Sequence, residues 1–114
     1  MPILESLERI VLAECEEDHV GLWSIIRDVE DFLVKPDDAA VRNQVLGLLK
    51  ELLVADEIVA GFPTPEGGFH PLRMSAEKII ARIEADWPVG HRPNIGEGLW
   101  FTRSKKNNRE KADS

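Results

Sequence analysis

Residues 41–72 read VRNQVLGLLKELLVADEIVAGFPTPEGGFHPL, and a change of period inside this stretch decides the class of fold. Val41, Val45, Leu48, Leu49, Leu52 and Leu53 stand at offsets 0, 4, 7, 8, 11 and 12. That spacing stacks apolar side chains on one face of a helix with 3.6 residues per turn. After Asp56 the period stops. Glu57-Ile58-Val59-Ala60-Gly61-Phe62 and Phe69-His70-Pro71-Leu72 are short β-prone runs on either side of Pro63-Thr64-Pro65-Glu66-Gly67-Gly68, which predicts a β-hairpin. Pro71 has no amide hydrogen to donate, so the second arm belongs at a sheet edge.

The flanking sequence extends this order in both directions. Upstream, Leu4, Leu7, Val11 and Cys15, with Ile3 and Ile10 beside them, make an amphipathic helix from Ile3 to about Glu17. It stops where Glu14, Glu16, Glu17 and Asp18 meet the negative end of the helix dipole. Gly21 follows as punctuation. Leu22, Ile25, Ile26, Val29, Phe32 and Leu33 form a second helical stripe, with Asp18 as its expected cap and Pro36 as its stop. Asp37 or Asp38 is the natural N-cap of the third helix. Downstream, Ser75 caps a fourth helix that turns Ile79, Ile80, Ile83 and Trp87 inward and ends at Pro88. Val89 to Gly98 is loop chemistry, Leu99-Trp100-Phe101-Thr102 is a strand-like run, and residues 103–114 offer almost nothing to bury. The expected organisation is one domain over 1–102 and a disordered basic tail over 103–114, in a mainly α, α+β class.

Helix, helix, helix, hairpin, helix is the chain order of winged-helix domains. Residues 3–87 resemble such a domain, with Ala39 to Ala55 in the place of the recognition helix and Glu57 to Leu72 as the wing. Residues 87–102 also resemble the C-terminal end of a family of small bacterial proteins, a likeness that brings no function with it. The winged-helix resemblance implies either a DNA reader or a protein-binding module, since the fold serves both.

Charge separates those two. Residues 1–102 hold 19 Asp and Glu against 9 Lys and Arg, a balance of −10, while residues 103–114 hold 5 basic and 2 acidic residues, a balance of +3. An acidic body is repelled by phosphate and attracted to cationic partners. The presumed recognition helix opens with Asp37-Asp38, where phosphates would lie, and its outward positions offer only Arg42, Asn43 and Lys50 as useful contacts to DNA. Glu66 is the one charged residue at the wing tip. Sequence-specific DNA binding is therefore not expected.

No catalytic constellation emerges. His19, His70 and His91 lie far apart in different settings, and Cys15 with His19 has the i, i+4 spacing of two metal ligands but lacks the third and fourth that zinc requires. Cys15 reads more simply as a small core residue and His19 as a helix-end residue. Gly67-Gly68 sits in a hairpin, not between a strand and a helix, so no phosphate-binding loop is present. No metal or cofactor is expected. A single thiol suits a reducing compartment, no run of apolar residues approaches the roughly 18 of a membrane span, and the N-terminus lacks a signal-peptide pattern, so a cytoplasmic location is expected.

Three tryptophans remain to be placed. Trp87 continues the inward stripe of the fourth helix. Trp23 sits about 100° from Leu22, at the margin of its stripe. Trp100 and Phe101 are adjacent in a strand-like run, so they face opposite sides, and at least one needs a cover from the chain itself or from a partner. The expected function is a non-catalytic protein-binding module for a basic protein, such as an immunity or antitoxin-like protein that neutralises a cationic nuclease. Its candidate contact residues are Trp23, Asp37, Asp38, Arg42, Glu66 and Trp100. The alternative is a winged-helix transcription regulator.

Overall fold

A computed structural model describes residues 2–34, 37–88, 93 and 98–104. His91 and the tail beyond residue 104 lie outside the described residues. These form an α+β fold in the order α1 (Pro2–Glu17), β1 (Val20–Gly21), α2 (Leu22–Phe32), α3 (Asp38–Val54), β2 (Ile58–Pro63), β3 (Phe69–Pro71), α4 (Ala76–Asp86) and β4 (Trp100–Arg103). Helix dominates, as the apolar periods require.

The helix boundaries follow local chemistry. Asp37 Oδ1 accepts from the Ala40 amide at 2.7 Å and Ser75 Oγ from the Lys78 amide at 3.3 Å, which makes them the N-caps of α3 and α4. At its other end α3 stops with Ala55 as cap, the Glu57 amide bonding the Leu52 carbonyl and the Asp56 amide the Leu53 carbonyl. Asp56 takes φ 58° there, the left-handed position that glycine usually fills, and the chain turns sharply into β2.

The sheet is larger than a hairpin. Its strand order is β1-β4-β2-β3, antiparallel throughout, so the last strand in sequence is inserted between the first and the hairpin. The Gly21 separator is thus itself part of a strand. Asp18, expected to cap α2, instead accepts from the neighbouring His19 amide, and Gly21 occupies the cap position without a side-chain bond, because β1 intervenes between Asp18 and the helix. β3 is an edge strand, as Pro71 requires.

Alternation along the strands sorts the two faces. Val20, Phe101 and Ala60 lie side by side in β1, β4 and β2 and face the helices, joined by Ile58. They meet Leu7, Val11 and Cys15 of α1, Leu22, Ile25, Ile26 and Val29 of α2, Val41, Val45, Leu48, Leu49 and Leu52 of α3, and Ile79 and Ile83 of α4 in one core. Trp87 is buried with them, as its stripe predicts.

The expected boundary after Thr102 moves outward by two residues. Arg103 ends β4 opposite Ile58 with 8% of its surface exposed, and Ser104 is buried. Arg103 is held because its guanidinium reaches Glu57 Oε2 at 3.2 Å and Glu16 Oε1 at 3.5 Å. The Ser104 amide donates to the Glu57 carbonyl. The charge that marked Arg103 as tail is what fastens it to the body.

Candidate functional site

The outer face of the sheet carries the two tryptophans left open by the sequence. Gly21, Trp100 and Gly61 are register neighbours across β1, β4 and β2. Two glycines beside one tryptophan leave room for its indole. Trp23, at the start of α2, swings over Gly21, where any side chain would collide with its ring. It meets Trp100 edge to face, centroids 4.6 Å apart and planes at 82°. That geometry suits the ring quadrupoles. Phe101 is covered by the core and Trp100 by Trp23, so the chain itself supplies the cover, and both tryptophans are half-buried.

The other predicted contacts do not gather around this pair. Asp37 and Asp38 are exposed at the start of α3, the first spent as a cap. Arg42, expected to point outward, is half-buried, and its Nε donates to the Trp87 carbonyl at 2.9 Å. That carbonyl sits at the cap of α4, where the helix leaves acceptors unsatisfied, so Arg42 ties the start of α3 to the end of α4. Glu66 is exposed at the hairpin tip, beside Gly67 at φ 89°. Six residues chosen for charge or aromaticity therefore resolve into an aromatic pair, a capped helix start with an interhelical tie, and a turn.

A surface that the residue-by-residue reading missed lies along α1 and α3. Glu8 has its carboxyl pushed up from its ordinary value, first by burial and then by the negative charges of Glu51, Glu5 and Glu57. Glu5 and Glu8 are one turn apart on α1, Glu51 comes from α3, and Glu57 from the step into β2. Arg103 neutralises part of this charge through Glu57 and Glu16. Sequence shows the acidic total, but only packing shows which carboxylates share a face.

A second acidic contact is internal. Glu14 of α1 and Asp28 of α2 meet carboxyl to carboxyl, and no donor reaches Glu14 Oε1 or Asp28 Oδ2, both shielded from water. A proton on Glu14 lets its carboxyl donate to Asp28. Burial, a hydrogen bond with Asp28 and the charge of Asp28 push the Glu14 carboxyl up to about 7. A raised acid stabilises the fold below its ordinary pKa and loses that contribution as pH rises through the folded value. Stability is therefore expected to fall between about pH 5 and pH 8. After allowance for solvent screening at this half-buried site, the loss is about 1–2 kcal/mol. In urea melts, Glu14→Gln should match the parent at pH 4 and exceed it by that amount at pH 8. Parallel pH profiles for the two proteins would place the proton elsewhere.

Cys15 is 2% exposed, and burial, then the charge of Glu14, push its thiol up to about 12, against the opposing pull of Arg103. Such a thiol is a packing group rather than a nucleophile. The ring of His19 packs against Phe69, centroids 5.0 Å apart. Among the described residues no group of three or more His, Cys, Asp or Glu is arranged to hold a metal ion, and no helix is long and apolar enough to cross a membrane. Comparison with protein-family models, curated proteins and solved structures gives no match.

Proposed function

We propose that this chain is a non-catalytic, cytoplasmic protein-binding module of winged-helix-like build, and that its α1–α3 carboxylate face engages a basic protein, in the manner of an immunity or antitoxin-like protein. The observation that carries this reading is the gathering of Glu5 and Glu8 on α1, Glu51 on α3 and Glu57 at the step into β2, near enough that the other three charges add to burial in raising the Glu8 carboxyl. Like charges held side by side by a folded scaffold cost stability, and a cationic partner relieves that cost while being steered to the site. The α1-α2-α3-hairpin order supports the winged-helix likeness. Arg42, which a DNA reader would need free at the start of α3, is committed to the Trp87 carbonyl, which favours protein over DNA.

The test compares the parent with Glu5→Gln/Glu8→Gln/Glu51→Gln, a variant that spares Glu57 and its pair with Arg103. Both are used as bait in extracts of the producing cell at 50 and 300 mM salt, and bound proteins are quantified by mass spectrometry. The expected result is a basic polypeptide held by the parent at 50 mM salt, weakened at 300 mM and lost with the variant. Identical capture by both baits would refute the role of this face. In parallel, selection from random DNA duplexes at about 150 mM salt should enrich no motif. Nanomolar binding to one motif, weakened by Arg42→Ala, would turn the reading toward a regulator.

A further inference from the structure

We propose that the α3–α4 face pairs with the same face of a second copy of this chain, helix against helix, on a surface separate from the α1–α3 carboxylates. The two helices leave a groove of about 410 Å³ between them, with Leu46 and Ile80 at its base, Gly47 and Lys50 on the α3 wall, and Glu77 and Glu84 on the α4 wall. Gly47 is the anomaly. It lies in the middle of a 17-residue helix, where glycine is less stable than alanine, yet a Cβ there would meet nothing within 4 Å. Nothing in the chain's own packing calls for it. A glycine exposed at the lip of a groove leaves space for the close approach of another backbone. Val54, 66% exposed, continues the same face one turn beyond Lys50.

Charge selects the occupant and its orientation. The bond from Arg42 to the Trp87 carbonyl sets the start of α3 beside the end of α4, so the helices run antiparallel, with Lys50 level with the Glu77 end of α4 and Glu84 level with the start of α3. The side chains of Lys50, Glu77 and Glu84 make no ion pair among the described residues. Two face-to-face arrangements with two-fold symmetry are available. An axis across the helices sets Glu77 against Glu84 of the second copy twice, which repels. An axis along the helices lays α3 on α4 of the second copy, sets Lys50 against Glu77 twice, and makes four helices in which every neighbour is antiparallel. The second arrangement pairs Lys50 with Glu77 of the other copy, whereas the first sets carboxylate against carboxylate. With α4 only 11 residues, about 16 Å long, the contact falls below the roughly 800 Å² per partner of a standard interface, in the size class of weak, transient contacts.

Sedimentation equilibrium of the full chain from about 5 to 500 µM tests this, with far-UV melting on the same samples. The parent should pass from monomer to dimer across that range. Lys50→Glu should weaken pairing at least tenfold, and adding Glu77→Lys should restore it. Gly47→Gln should abolish pairing while raising the melting temperature, since the helix gains propensity and the site is open. A parent that stays monomeric at 500 µM overturns the proposal. So does a dimer that ignores the charge swap, which needs no change at Gly47 and stays informative if Gly47→Gln folds poorly.

Discussion

Leu49→Ala is expected to lower the free energy of unfolding by about 2–5 kcal/mol, the usual cost of emptying a buried leucine site. Leu49 lies in the middle of α3 with none of its surface exposed, among Val45, Leu48 and Leu52 of its own helix in the common core. Helix α3 packs against α1, α2, α4 and β2, so its centre has little freedom to collapse onto a smaller side chain. Urea melts of parent and variant measure the difference, with exposed Lys78→Ala as a control that should move by less than about 0.5 kcal/mol. A shift for Leu49→Ala as small as the control's would rule out the register of α3 on which the whole core depends.

Gly61→Ala is the second large effect, about 3 kcal/mol, and it comes from overpacking rather than a cavity. A Cβ on Gly61 would collide with the His70 carbonyl oxygen and stand 2.8 Å from Pro71 Cα, both main-chain atoms that cannot swing aside. Strand β3 has to lift away from β2, and Phe69 should then leave His19, while Trp100, the register neighbour of Gly61 on the other side, should report the change in its fluorescence. Gly47→Ala is the matched comparison. It adds the same methyl group in open space on a helix and should stabilise by up to about 1 kcal/mol. Two alanines of opposite sign would show that close approach decides the cost at Gly61. Equal effects would remove that account.

The sequence by itself determined the helices, the hairpin and most of the core, because those depend on short-range periodicity. The stripes of α1, α2, α3 and α4 turn their central apolar residues inward, Asp37 and Ser75 cap the helices as their types and positions imply, and Pro71 lies on an edge strand. Only the tertiary structure decided how distant segments meet. Val20-Gly21 is too short to carry a strand signal and becomes a strand because β4 returns, some 80 residues later, to pair with it. Arg103 reads as the first charge of a tail until Glu16 of α1 and Glu57 of the turn before β2 are found waiting for it. Trp23 reads as a ring at the margin of its stripe and Trp100 as one in need of a cover, and only their contact shows that each covers the other. Glu14 and Asp28 each flank a core position on a separate helix, and their encounter follows from how α1 and α2 pack. Local pattern reports which face of an element turns inward. Which charge or ring it then meets is a property of the packed chain, and that is where the carboxylate face and the α3–α4 groove arise.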